Sequence, residues 1–494
     1  MALAGASLGN VVVVVLVVIT TYLASHVLYN LYLHPLRRYP GPLLMRATKL
    51  GFCYGLVRGT LPFDMLALHK RYGPVVRIAP DQLAFADAGA WKDIMGHQKA
   101  GALEFEKNPK FYRPVPAIPV DIINASREEH GLLRRTMAHG FSDRSMREQQ
   151  PIIQGYVDLL VRRLRGLAEA GEAVDMTAWY NFTTFDVIGD LAFGESFGCL
   201  DNSDYHPWVK AIFDLTRTGT VVQALAQYPG LLRFLVSLVP MSAWKEREHH
   251  LELTKAKLLR RMESGKERPD LVEGLLKKKD EWGLTLDKLQ ANSAILIIAG
   301  SETTATLLSG VTYLLLTNQS ALERLTAEIR STFKAEAEID FASVSTLPYL
   351  LACLDEALRL YPPVPGGLPR IVPKGGATIC KNYVPEKTVV SIFHWAMYHD
   401  ENNFKDPLSF RPERWLDDPA FATDNKEAFQ PFHIGPRNCL GRNLAYIEMR
   451  IILARIIWNF DMRITEEGLD WIRNQRAFNL WQKGPLKVWL TPVR

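Results

Sequence analysis

The sequence predicts a globular body built around long helices and carried on a single N-terminal membrane-crossing helix. Three observations lead there. Met1 to Leu33 contains no Asp, Glu, Lys or Arg, and most of it reads VVVVVLVVITTYLASHVLYNLYL. The segment from Thr285 to about Leu316 is proline-free with a mostly apolar centre, and reads as one long helix. YLLACLDEALRLYPP, Tyr349 to Pro363, reads as another, stopped by Pro362 and Pro363.

The bulk numbers agree with a large folded body. At 494 residues the chain has room for two or three average domains, or for one large unit around a buried cofactor. Hydrophobic residues make up 48% of it, enough for a sizeable core. Lys and Arg number 58 against 53 Asp and Glu, and no basic run is interleaved with aromatics, which argues against a nucleic-acid partner. The five cysteines, Cys53, Cys199, Cys353, Cys380 and Cys439, are odd in number and scattered. They form no disulfide framework, so the body is expected to face a reducing compartment.

Residues 1–33 are taken as the anchor. A helix of about 20 apolar residues crosses a hydrocarbon layer of roughly 30 Å. A cleaved signal peptide would need a basic start, a shorter apolar run and a small-residue cleavage site, and none is present. Arg37 and Arg38 follow the apolar run, so the positive-inside rule puts the body on the cytoplasmic side, with Tyr22, Tyr29 and Tyr32 at the interface. On that side the sequons at Asn124, Asn181 and Asn318 stay unmodified. Residues 34–45 contain YPGP, where proline cannot continue a helix, and read as a hinge to the body, residues 46–494.

Within the body, FHIGPRNCLG, Phe432 to Gly441, sets one cysteine between two glycines. A structural cysteine would normally sit among Leu, Val or Ile. Gly435 and Gly441 allow unusual backbone angles or close approaches, and Arg437 brings a positive charge expected to favour thiolate at Cys439. A nucleophile needs a base oriented by a third group; His433 is available, but no Asn or Asp partner is recognisable. Zinc needs ligand pairs that are missing. A lone thiolate beside an Arg suits an iron already held by four other ligands, which is haem.

This stretch resembles the haem-binding signature F-x-x-G-x-R-x-C-x-G of the cytochrome P-450 superfamily, with Phe432, Gly435, Arg437, Cys439 and Gly441 in place. In the long helix, AGSETT, Ala299 to Thr304, resembles the family's A-G-x-D/E-T-T element. A second membrane span there would hold Glu302 mid-bilayer at about 2.5 to 3.5 kcal/mol, so a buried core helix is expected. Gly300 costs that helix about 1 kcal/mol relative to Ala, which suggests that something flat approaches its backbone. The resemblance implies that Thr303 and its acidic neighbour Glu302 guide protons to bound oxygen. Glu356 and Arg359, three apart amid Leu and Ala, resemble the family's E-x-x-R motif, and Arg414 of FRPERW is the matching third member of a structural triad.

Haem brings two carboxylates that an apolar pocket must neutralise. By its place in the signature Arg437 is one donor. EEHGLLRRTMAHGFS, Glu128 to Ser142, resembles the helix carrying W-x-x-x-R, with Arg134 at the arginine and His130 where the family has tryptophan; Arg370, in VPGGLPR, sits where the family places another donor.

The resemblance extends over nearly the whole chain and is nearest to microsomal fungal enzymes of the isotrichodermin-hydroxylase-like and averantin-hydroxylase-like groups. It implies a mainly α body with a small β-region, haem b between the long helix and the cysteine loop, and a single-pass protein of the endoplasmic reticulum membrane with its body in the cytosol. It also implies a monooxygenase that uses O2 and NADPH-derived electrons from a separate cytochrome P-450 reductase, with cytochrome b5 as an auxiliary partner. The loops Phe105 to Ile122 and Val364 to Leu368 are apolar and proline-rich, so the substrate is expected to be a hydrophobic small molecule, a fungal polyketide, terpenoid or alkaloid. Two other readings stand beside this one. One is a reductase-independent peroxide-rearranging haem-thiolate enzyme, in which the acid and threonine pair is often missing. The other is a non-catalytic membrane haem binder.

Overall fold

The computed structural model describes residues 8–98, 101, 103–115, 118–237, 252, 255–264, 268, 270–473 and 475–493; the first seven residues of the expected anchor and residues 116 and 117 of the expected pocket loop lie outside them. The chain is mainly helical with small sheets, as the resemblance implies.

The anchor helix, Leu8–Leu28, runs on through a wider turn, Tyr29–Leu33. Its side chains from Val11 to Ile19 are all exposed, and Gly9–Leu33 is long and apolar enough to cross a membrane. At its base the environment changes abruptly. Asn30 is buried and donates from Nδ2 to the Ala47 carbonyl at 2.8 Å, while its own carbonyl accepts from Arg77 Nη1 at 2.9 Å. The stretch 34–45, expected as a hinge, continues these contacts with the body. Arg77 N donates to the Pro40 carbonyl at 2.7 Å, and Tyr39 Oη donates to the Tyr383 carbonyl at 2.9 Å. A side chain at Gly41 would lie 2.3 Å from the Arg77 carbonyl, so glycine is what lets the two backbones meet.

The anchor makes a direct prediction about topology. Full-length protein is expected to stay in the membrane pellet after carbonate extraction, and protease outside sealed microsomes is expected to digest the body. A protected body, or a glycan on Asn124, would reverse the orientation.

The long central helix spans Leu286–Leu316, and Thr285 caps it by accepting from Lys288 N at 3.3 Å. It passes the same length and hydropathy test as the anchor, yet its most apolar stretch is 67% buried, so it is a core helix. It packs along the helix Met176–Phe193, where Tyr180 Oη and Thr312 Oγ1 share a 2.7 Å hydrogen bond. The helices Pro348–Leu360 and Arg442–Asn459 complete this layer, the first starting on Pro348 at its N1 position.

A five-stranded sheet lies beside the helices in the order Val75–Ala79, Gln82–Phe85, Val389–Ile392, Arg370–Ile371, Glu106–Lys107. Its second and third strands run parallel and the other neighbours antiparallel. The last pair sets Lys107 directly opposite Arg370. A three-stranded sheet near the C-terminus joins Val174–Asp175, Lys487–Pro492 and Phe460–Ile464.

Candidate active site

One cavity of about 630 Å³ lies between the central helix and the cysteine loop. That is a usual volume for a small-molecule or cofactor site. Ala299, Gly300 and Thr303 form part of one wall, and Phe432, Cys439 and Gly441 part of another.

The cysteine loop is shaped by its glycines to different degrees. Gly435 has φ +78°, and a side chain there would lie 2.0 Å from the Met95 carbonyl, so both conformation and space require glycine. Gly441 sits at φ −85° before the helix Arg442–Asn459, and a side chain would meet Phe141 at an ordinary 3.7 Å. The chain itself does not demand glycine there, and room is left beside the cavity. Cys439 N donates to the Phe432 carbonyl at 2.8 Å, and the exposed surface of Cys439 belongs to the cavity wall.

The charges near the sulfur differ from the expectation. The groups that favour thiolate are the Gly441 backbone N–H, Arg134 and Arg442, and burial outweighs them and raises the thiol pKa. Arg437 is turned elsewhere: Nε meets Glu104 Oε1 at 2.6 Å and Nη1 donates to the Ala125 carbonyl at 3.0 Å. The short turn Gly435–Arg437 carries that guanidinium toward Glu104. A bound metal cation, rather than Arg437, is therefore what would hold Cys439 as thiolate.

Along one edge of the cavity five basic groups converge: Lys107, His130, Arg134, Arg370 and Arg437. Like charges opposite one another in a strand pair are unfavourable, yet Lys107 faces Arg370 across the sheet edge. Burial, with Arg370 and Arg437 adding to it, pushes the Lys107 pKa down to about 6. His130 is pushed down to about 3 by burial and then by Arg437, Lys107, Arg134 and Arg370, so its imidazole is neutral. Arg134 donates from Nη1 to the Asn438 carbonyl at 2.7 Å, supporting the cysteine loop. Arg370 is buried, and its Nε has no hydrogen-bond partner. Against these five basic groups stand two nearby carboxylates, Glu104 on Arg437 and Asp121 in the same lining, so the edge is predominantly basic.

These features fit haem. A thiol stands on one wall, a mostly apolar helix with Thr303 and Thr304 in its lining forms another, and the basic edge matches two carboxylates. Lys107 was not singled out in the sequence, where it is one Lys in an apolar loop; only its pairing with Arg370 gives it meaning.

The acid and the alcohol of AGSETT separate in space. Thr303 faces the cavity and donates from Oγ1 to the Ala299 carbonyl at 2.6 Å. Glu302 is buried outside the cavity lining, in an ion pair with Lys483. Successive helical residues point about 100° apart, which is why the neighbours diverge. The close neighbour of Gly300 is also a protein group: a side chain there would meet Ile188 Cδ1 at 2.7 Å. An acid that does line the cavity, Glu448, is pushed up to about 8 by burial, and so is largely neutral at pH 7. His433, the base considered beside Cys439, is also neutral, its pKa pushed well below its ordinary value by burial.

Behind the cavity, Glu356, Arg359 and Arg414 come together fully buried. Arg359 binds both carboxylate oxygens of Glu356, at 2.8 and 3.0 Å, and Arg414 Nε lies 3.3 Å from Oε2. Trp415 Nε1 and the Arg411 backbone N–H donate to the same carboxylate at 3.0 Å. Asp424, not anticipated from the sequence, pairs with the far side of Arg414.

Comparison with known proteins points the same way. The Cytochrome P450 family model matches residues 38–488. Cytochrome P450 monooxygenase prhB of Penicillium brasilianum is 47% identical over 471 residues, covering 95% of this chain and 96% of its own. Cytochrome P450 monooxygenase tpeC of Talaromyces stipitatus is 49% identical over 470 residues, covering 94% and 92%. A trichothecene C-15 hydroxylase of Fusarium sporotrichioides is 44% identical over 475 residues, covering 95% and 96%.

Proposed function

Because this chain belongs to the cytochrome P450 family and is a haem-thiolate monooxygenase, we propose that Cys439 would hold the haem iron through its thiolate and that Thr303 and Glu302 serve oxygen activation. The observation that carries this is the cavity in which the Cys439 thiol, the Thr303 hydroxyl and a predominantly basic edge meet. Arg437, Arg370 and Arg134, with Lys107, would hold the haem carboxylates, and neutral His130 would add a hydrogen bond. Phe432, Gly435 and Gly441 shape the cysteine loop, and Gly300 belongs to the wall formed by the central helix. When bound, haem supplies a thiolate-ligated iron that activates O2 with electrons passed on from NADPH by a separate reductase.

The chain's own residues then manage protons and water. Thr303 Oγ1 belongs to the part of the central helix that lines the cavity, and its bond to the Ala299 carbonyl leaves its oxygen free to accept. It steadies the hydrogen-bonded path along which protons enter. Glu302 lies one residue back on that path, outside the cavity wall. Leu296, Ile298, Phe111, Val364 and Leu480 line the cavity with apolar surface, which selects a hydrophobic substrate and excludes bulk water. A fungal secondary metabolite, hydroxylated at an unactivated carbon, fits both this lining and the trichothecene hydroxylase relative. The apolar anchor is a candidate membrane anchor, and we place it in the endoplasmic reticulum membrane with the body in the cytosol, where the reductase and cytochrome b5 are its partners.

Thr303→Ala tests the assignment. It strands no charge, so folding, haem content and substrate binding are expected to stay near wild type. Loss of a positioned proton-transfer group is worth about 10²- to 10⁴-fold in the assisted step. Product is therefore expected to fall while NADPH is still consumed and hydrogen peroxide rises. Unchanged coupling would remove Thr303 from the mechanism.

A further inference from the structure

We propose that Lys483 is a positioning residue for oxygen activation: it binds Glu302 through one carboxylate oxygen and so leaves the other, Oε2, as the atom that relays protons toward Thr303. The inference rests on the reading of Thr303 and Glu302 given above.

Lys483 and Glu302 have side chains only 3% and 2% exposed, a buried ion pair between elements 181 residues apart in sequence. The Lys483 ammonium meets Glu302 Oε1 and also donates to Thr306 Oγ1 at 2.7 Å, and Thr306 Oγ1 lies 3.3 Å from the same Oε1. Thr306 is one helical turn beyond Glu302, so both lie on one helix face, about 100° round from Thr303. Oε1 is thus held from two sides, whereas Oε2 is buried and has no partner. A buried carboxylate oxygen without a partner is rare and calls for water or a moving proton.

The surroundings give Lys483 little freedom. On one side Trp481 Nε1 donates to the Pro362 carbonyl at 2.7 Å, and its indole stacks on Tyr361 with ring centres 4.4 Å apart. On the other, the Gly484 carbonyl accepts from Trp471 Nε1 at 2.8 Å. The ammonium is fixed before Glu302 is oriented, and that preorganisation is what a proton path needs. The same hairpin sends Phe478, Asn479 and Leu480 into the cavity, so the group that sets the acid is built on a segment that also touches the substrate space.

The test needs no knowledge of the substrate. Full-length haem-loaded protein with reductase, NADPH and O2 alone partitions oxygen between peroxide, which uses one NADPH per O2, and water, which uses two. Lys483→Met, like Glu302→Gln, is expected to shift this partition toward one peroxide per NADPH, with an effect on water formation approaching about 10²-fold. Lys483→Met/Glu302→Gln removes both charges and leaves none stranded; it is expected to be no worse than Glu302→Gln alone, because Lys483 acts through Glu302. A wild-type partition in Lys483→Met, or in the double variant if the single one fails to load haem, would overturn the proposal, as would additive effects. If Thr303→Ala raises peroxide in this assay and Lys483→Met does not, the role of Lys483 alone is lost. If neither does, the proton-delivery reading falls with it.

Discussion

Cys439→Ser is expected to abolish the ferrous carbon-monoxide band that marks thiolate ligation, while Cys53→Ser and Cys380→Ser retain it. Cys439 is the one cysteine lining the cavity among the described residues. Cys53 donates to the Ala224 carbonyl away from the cavity, and burial raises its pKa to about 11. Cys380 is pushed up to about 12 by burial, with Asp87 and Asp93 adding to it. Neither has a reason to become thiolate. Serine at position 439 is nearly isosteric, and the Cys439 backbone bond to Phe432 is unaffected, so the loop is expected to survive. What is lost is the soft ligand itself, and the loss of the band is expected to be complete. Its retention in purified Cys439→Ser would refute the ligand assignment.

The second large effect falls on folding. Removing one partner of a buried ion pair typically costs about 3 to 5 kcal/mol, against a total stability of about 5 to 15 kcal/mol for a folded protein. Glu356→Ala sits at the severe end, because it takes from Arg359 the carboxylate that balances its charge and leaves Asp424 as the carboxylate on Arg414. It also leaves the donors of Trp415 and Arg411 unanswered. Arg359 further ties the helix Pro348–Leu360 to the carbonyls of Tyr398, Pro407 and Ser409. These bonds link the core helices to the strand and loop region that supports one side of the cavity. Glu356→Ala is therefore expected to yield little haem-loaded protein and to melt well below wild type. A folded, haem-loaded variant with a catalytic defect alone would show that the triad is not structural.

Local patterns were legible wherever they act along one element. The charge-free run to Leu33, the proline-free run from Thr285, the stop at Pro362 and the three-residue spacing of Glu356 and Arg359 each state their structure in the order of residues, because helix periodicity and termination are short-range. The cysteine signature was legible for a similar reason: Gly435, Arg437 and Cys439 lie within five positions of one another.

Contacts across the fold were not legible. Residue order brings Arg437 within two positions of Cys439, but its guanidinium goes to Glu104, and the charges on the sulfur come from Arg134 and Arg442. Residues 39–42 read as a hinge because proline and glycine break helices, yet their backbone also runs against Arg77. Lys107 gains its meaning from Arg370, and Glu302 its direction from Lys483, each pair distant in sequence and adjacent in space.

The sequence by itself determined the apolar N-terminal helix, the helical core, the family and the cysteine motif, because propensity, hydropathy and a compact motif are properties of neighbouring residues. Only the tertiary structure decided which way each charge faces. Electrostatic partners are chosen by distance and burial in three dimensions, and chain separation carries almost no information about either.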